Sequence, residues 1–316
     1  MKRILLCSFF FLILLCGCAA QSNNAERLAP LDISKAFNAY DNNECSKSIQ
    51  IFSEADNLQK NPIILNGLGM SYLQCKQPEN AVKVFKEAVS LVPNSAALQA
   101  NLGIAYYENN QIAEAKEKFK LALELDPQLM EAVIGDATIL IHEKQPEKAL
   151  KILFDFAQNY PDEPIIKYNE AIAFYEMGMY ADSIKLLQEY TAQMPDDAYA
   201  WNALAVAQQK NNRFDDALAS IDKAIALYPV DGYFYYNKGN ILKDKNKYAD
   251  ADKEYSRAIS FLPELAEAYV NRGDIRFLLR KTKEGCEDLQ KACSLGSCER
   301  LEIYKDAGRC LGGIWK

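Results

Sequence analysis

Apolar and small residues recur along this chain with a period of 34, and prolines mark the beat at Pro93, Pro127, Pro161, Pro195, Pro229 and Pro263. Counting the residue 31 before each proline as position 1, the stretch from Ala96 carries Leu102, Gly103, Tyr106, Ala115, Phe119, Ala122 and Pro127 at positions 7, 8, 11, 20, 24, 27 and 32. The stretch from Pro62 repeats the set as Leu68, Gly69, Tyr72, Ala81, Phe85, Ala88 and Pro93. A period of this size predicts stacked supersecondary units, each with an apolar face that only its neighbours can cover. Proline at position 32 closes the unit, because it lacks a donor and restricts the residue before it.

This residue set resembles the tetratricopeptide repeat (TPR). The resemblance implies an all-α fold: a right-handed superhelical solenoid of antiparallel helix pairs, with about seven to eight repeats and a C-terminal capping helix. Small residues at positions 8, 20 and 27 let helix backbones approach, while large ones at 7, 11 and 24 fill the gaps. The expected organisation is a solenoid over residues 31–297, with repeats at 62–95, 96–129, 130–163, 164–197, 198–231, 232–265 and 266–297 after an imperfect one at 29–61. Some repeats are worn. Asp136 stands at position 7 of the repeat from Met130, Lys167, Glu170 and Ser183 at positions 4, 7 and 20 of the next, and Arg276 at position 11 of the last.

The N-terminus changes the picture from a free to an anchored protein. Lys2 and Arg3 precede an apolar run from Ile4 to Leu15, too short to span a bilayer and suited to a signal-peptide core. Leu15-Cys16-Gly17-Cys18 resembles the bacterial lipobox, which implies cleavage after residue 17 and a lipid on Cys18. Ala19, rather than aspartate, follows, so the expected destination is the bacterial outer membrane with the chain facing the periplasm. Residues 18–30 form a small, polar tether that would reach roughly 40 Å if extended.

Cysteine usage fits that compartment. Without Cys7, Cys16 and Cys18, six remain: Cys45, Cys75, Cys286, Cys293, Cys298 and Cys310. An even set outside the cytosol predicts disulfides. Cys45 and Cys75 lie near matching turns of adjacent repeats and are expected to pair. Cys286 and Cys293 are about 10 Å apart by helical rise, too far to bond each other. A helix near 301–307 returning along the last repeat would pair Cys293 with Cys298 and Cys286 with Cys310, making residues 298–316 a cysteine-containing cap. The spacings and the lack of a nearby histidine give no zinc signature, so no metal site is expected.

Charge and chemistry narrow the partners. The chain carries 36 basic and 43 acidic residues, for a formal charge of −7. An acidic balance argues against nucleic acid as the main ligand. His142 is the single histidine, no phosphate loop or catalytic triad can be assembled, and no cofactor is expected. The Arg272-Gly273-Asp274 tripeptide falls inside a first helix and is discounted as an adhesive motif.

In TPR proteins, positions 2, 5, 9, 12 and 13 of the first helix line the inner face. By position, that rule selects Tyr168, Ile172 and Tyr175, then Tyr199 and Asn202, then Tyr233, Tyr236 and Asn240. Tyrosines bury apolar area while offering a hydroxyl, which suits a protein-binding surface. Asn101, Asn169, Asn237 and Asn271 all occupy position 6 and resemble the asparagine ladder that holds the main chain of an extended peptide. The lysine at 5 and asparagine at 9 of the carboxylate-clamp type are not combined here. The expectation is a non-enzymatic scaffold that binds a protein or peptide of the bacterial envelope; the alternative is a glycan-binding or regulatory subunit of a cell-wall enzyme.

Overall fold

The computed structural model describes residues 31–55 and 61–310, and among them there are seventeen helices and no strand. The first compact unit runs to Met177 and the second begins at Gly178. In the first, α1 (Leu31–Asp41) pairs with α2 (Cys45–Glu54), α3 (Pro62–Gln74) with α4 (Pro78–Leu91), α5 (Ala96–Glu108) with α6 (Ile112–Leu125), and α7 (Met130–His142) with α8 (Pro146–Ala157); α9 (Pro164–Glu176) packs on α8. In the second, α10 (Tyr180–Gln193) packs on α11 (Ala198–Lys210), which pairs with α12 (Phe214–Leu227). Then α13 (Gly232–Asp244) pairs with α14 (Tyr248–Phe261), and α15 (Ala266–Leu278) with α16 (Thr282–Ser294), before the short α17 (Glu299–Asp306). The division between the units falls within the worn repeat 164–197.

First helices begin where the proline ruler puts position 1. Several are capped by the residue before: Asn61 Oδ1 accepts from Ile63 N at 3.0 Å, Ser95 Oγ from Leu98 N at 3.3 Å, and Asp231 Oδ1 from Tyr233 N at 2.8 Å. Each cap occupies one of the donors that a helix start leaves open. Position 15, in the turn to the second helix, is left-handed in every repeat: Asn43, Lys76, Asn110, Lys144, Asn212, Asn246 and Arg280 have φ between 57° and 62°, and Gly178 has 78°. This conformation lets the next amide reach back, as when Gln111 N donates to Tyr106 O at 2.8 Å. The returned bond offsets part of the roughly 1–2 kcal/mol that a side chain costs there.

The core is a series of wedges. Phe52, Phe85 and Phe119, all at position 24, are fully buried. Phe119 lies against Gly103 of its own repeat and Gly135 of the next, where an added Cβ would come within 2.9 and 2.3 Å of the ring. Glycine is therefore required by ring access, and burying each phenylalanine contributes about 1.5–3 kcal/mol. Tyr255 does the same against Gly239.

The last pair departs from this scheme. Arg272 and Arg276 occupy positions 7 and 11, where apolar residues are expected. Both bond Asp288 of α16, Arg272 with Nη2 to Oδ1 at 2.6 Å and Arg276 with Nη1 to Oδ2 at 2.8 Å; Arg276 Nε also reaches Asp252 Oδ1 of α14 at 2.9 Å. Only 5% of the Asp288 side chain is exposed. A charge network here takes the place of the apolar residues at positions 7 and 11, beside a wedge that is kept as the fully buried Leu289 at position 24. Beyond it, α17 covers the end of the pair through buried Leu301, and Tyr304 stacks on Phe277 at 4.0 Å.

Three disulfides join the six cysteines: Cys45–Cys75, Cys286–Cys310 and Cys293–Cys298. The first ties α2 to the C-terminal end of α3. The other two fasten the cap, and Cys286 and Cys310 are buried. Cys18 and the whole segment 1–30 lie outside the described residues.

Candidate functional site

The predicted face is built differently in the two units. In the first, Tyr168, Ile172 and Tyr175 are 2%, 4% and 8% exposed. They are packing residues rather than open handles, and their upstream equivalents Met70, Leu73, Ile104, Tyr107, Ile134 and Ile141 are buried as well. Large apolar side chains fill the space between successive first helices and leave little of that face to a ligand.

In the second unit, Tyr199, Tyr233, Tyr236 and Asn240 are partly exposed, while Asn202 is buried. Tyr199 is steadied by an edge contact to Phe234 with centroids 5.4 Å apart, and Tyr228 stands 6.3 Å away. Tyr236 tilts over Tyr255 at 5.9 Å. Asp197 caps α11 and also accepts from the Tyr190 hydroxyl at 3.1 Å. Burial pushes its carboxyl above the usual range, against hydrogen bonds from Ala200, Tyr190 and Tyr199 that pull it down.

The position-6 asparagines have a role that the sequence reading gave to a ligand. Asn101 Nδ2 donates to Asn66 Oδ1 at 2.8 Å, and Asn237 Nδ2 to Asn202 Oδ1 at 2.7 Å; in each case position 6 bonds position 5 of the preceding repeat. Asn271 Nδ2 reaches the Tyr236 hydroxyl at 3.1 Å and Asn240 Oδ1 at 3.0 Å. Asn169 Nδ2 turns instead to Ile165 O of its own helix at 2.7 Å. A buried amide must be satisfied, and the neighbouring first helix supplies the nearest acceptor. Asn169 and Asn237 are buried, so they act as struts between or within helices, and only Asn101 and Asn271 keep partial exposure.

Around Tyr236 these bonds merge into one network. The Tyr255 hydroxyl donates to Asn240 Oδ1 at 2.7 Å, and Lys243 Nζ lies 3.4 Å from Asn271 Oδ1. Burial raises the Tyr236 hydroxyl's pKa, as does the Glu267 carboxylate, while hydrogen bonds from Asn240 and Asn271 work the other way. Burial likewise raises Tyr255, with Tyr236, Asp244 and Asp274 adding to it.

Other candidates resolve into structure. Gly273 of the Arg-Gly-Asp tripeptide packs on Gly285, Arg272 is held by Asp288, and Asp274 is paired with Arg300 at 2.7 Å. Glu176 is bonded by Lys144 at 2.8 Å and Asp244 by Gln209 at 2.6 Å. His142 ends α7. Among the described residues, no group of three or more His, Cys, Asp or Glu is placed to hold a metal ion. No helix among them is long and apolar enough to cross a membrane.

Known proteins agree with this architecture. Tetratricopeptide-repeat family profiles match residues 72–128, 168–232 and 239–279, together just over half of the chain. The chain belongs to the tetratricopeptide-repeat family. This TPR chain is also similar to the Vi polysaccharide export protein VexE of Salmonella typhi, with 30% identity over 106 residues; the match spans 32% of the chain and 16% of VexE. Among solved structures, the APC/C Cut9-Hcn1 hetero-tetramer gives a TM-score of 0.71 at 17% identity, covering 89% of this chain and 56% of that one. Yeast Tom70 gives 0.61 at 18% identity, covering 96% and 69%. PilW, a type IV pilus biogenesis factor by its description, gives 0.55 at 18% identity, covering 66% and 96%. At such identities these structures speak for the fold alone. The TPR scaffold suits protein interaction.

Proposed function

We propose that this protein is a non-enzymatic periplasmic adaptor, anchored to the outer membrane by lipid on Cys18, which binds an envelope protein on the first-helix face of its second unit. The observation that carries this reading is the partial exposure of Tyr199, Tyr233 and Tyr236 on consecutive first helices, where the first unit has no tyrosine at position 2 and buries Ala100, Ile134 and Tyr168 at position 5. Exposed aromatic anchors over a rigid, hydrogen-bonded floor are what a protein-binding hot spot needs. Three disulfides among the described residues support an oxidising compartment. The stretch similar to VexE supports an envelope setting, and because that relative's name concerns polysaccharide export it also favours a second reading, a glycan on the same tyrosines. The test is a Tyr199→Ala, Tyr233→Ala variant. It is expected to lose its protein partner in co-purification while keeping wild-type melting; retained capture rules the face out, and loss of glycan rather than protein binding selects the second reading. Tyr168 is unsuitable as a test, since truncating a buried tyrosine would destabilise the first unit. Cys18→Ala is expected to release the protein from membranes, and persistence there contradicts the anchor.

A further inference from the structure

The two disulfides of the cap are not equivalent. Cys286–Cys310 is sealed, with its cysteines 0% and 2% exposed, and joins residues 24 apart. Cys293–Cys298 joins residues 5 apart, and both its cysteines are only half-buried beside Gly296, which is exposed at a φ of 95° with open space around it. An external thiol can reach this second bond with the cap folded, and opening so short a loop takes the least from the folded chain. Cys45–Cys75 is half-buried too, but it ties two repeats across 30 residues, so its loss costs the fold more.

The turn between Cys293 and Cys298 is shaped by its own backbone. Gly296 N donates to Cys293 O at 2.9 Å, Ser297 N to Ala292 O at 2.9 Å and Leu295 N to Lys291 O at 3.2 Å. These bonds keep the two sulfurs together whether or not they are joined, so an opened pair is placed to close again. The cap has other ties as well: buried Leu301, Tyr304 on Phe277, the Arg300–Asp274 pair and Cys286–Cys310. The helices also give the pair a direction. Cys293 lies in the last turn of α16, whose carbonyl end disfavours an anion, whereas Cys298 precedes α17, whose first amides favour one. Glu299 and Glu302 share that end, but both are exposed and screened by solvent, so Cys298 is the better leaving sulfur.

We infer that Cys293–Cys298 is a redox-active pair that exchanges with a dithiol of the same compartment, while the other two disulfides are structural. One thiolate of the donor attacks Cys293 Sγ, the Cys293–Cys298 bond breaks with its electron pair leaving on Cys298 Sγ, and a mixed disulfide joins Cys293 to the donor. The donor's second thiolate then attacks the donor sulfur of that bond and expels Cys293. The protein gains two electrons and the two protons of the donor's thiols, and the donor leaves as a disulfide. The inference is independent of what the first-helix face binds.

The experiment treats the full chain with graded dithiothreitol, quenches in acid, alkylates free thiols and maps them by mass spectrometry, with circular dichroism alongside. Cys293 and Cys298 are expected to label at a dithiothreitol level at least about tenfold below the one that opens Cys286–Cys310, with helix content unchanged. They are expected to reclose with each other in a mixture of reduced and oxidised glutathione. Reduced glutathione alone, quenched early, is expected on Cys293 rather than Cys298. In cells, Cys298→Ser is expected to trap a reductant-sensitive adduct on Cys293, and Cys293→Ser to trap much less. The inference is overturned if Cys293–Cys298 opens only together with Cys286–Cys310, if helix content falls as it opens, if the freed thiols do not reclose as a pair, or if Cys298→Ser traps nothing. Glutathione on Cys298 overturns the order of attack.

Discussion

Asp288 shows how one residue can hold a worn repeat together. It compensates two arginines that sit where other repeats place apolar side chains, and it is nearly sealed from water. Asp288→Ala would leave Arg272 and Arg276 without their shared anion, so a loss of about 3–5 kcal/mol is expected from denaturant titration, with hydrogen exchange rising first in α15 and α16. Asp252 adds a pH dependence. Burial pushes its carboxyl up, but hydrogen bonds and charge from Lys281 and Arg276 outweigh burial and hold it below the ordinary value. With the folded pKa lowered, its stabilisation is complete above the unfolded value of about 4 and is lost as pH falls through the folded one. Asp252→Asn should therefore melt below the wild type at neutral pH, and the gap should close in strong acid; a gap that persists there contradicts the assignment. The sequence displayed Arg276 as a misfit at position 11 but not its partners, because Asp252 and Asp288 come from two other helices.

Helix boundaries were the most legible feature of the chain. Pro62, Ala96, Met130, Pro164, Ala198, Gly232 and Ala266 each begin a first helix, since the period, the caps and the closing proline all act locally. The left-handed residue at position 15 was not legible, because Lys76, Lys144 and Arg280 carry no turn signal and are placed there by the back-bonded turn itself. The asparagine ladder was legible as a pattern and open in meaning. Position 6 faces position 5 of the preceding repeat, so Asn101 and Asn237 spend an amide hydrogen between helices. The cysteine pairs followed from turn positions and helical rise. Peptide mapping without reductant should return Cys45–Cys75, Cys286–Cys310 and Cys293–Cys298, and any other pairing contradicts the structure. With separations of 30, 24 and 5 residues, the first two should stabilise by about 3–4 kcal/mol each and the third by about 2.

At the scale of the whole molecule, repetition of one unit produces two different faces. Composition decides the difference: position 5 is buried at Ala100, Ile134 and Tyr168 in the first unit but partly open at Tyr236 in the second, and the open position 2 carries tyrosine only at Tyr199 and Tyr233, where the first unit has Ile63, Ala97 and Glu131. Sequence position alone gave these tyrosines equal standing, because burial depends on what the neighbouring first helices carry. Photo-crosslinking in living cells tests the central claim most directly, with the photoreactive residue at Tyr199 and, as a control, at exposed Lys223 on second helix α12. The account predicts one dominant envelope-protein adduct from Tyr199, absent from Lys223 and lost on Tyr233→Ala. Equal adducts from both positions, or none from Tyr199, would contradict it.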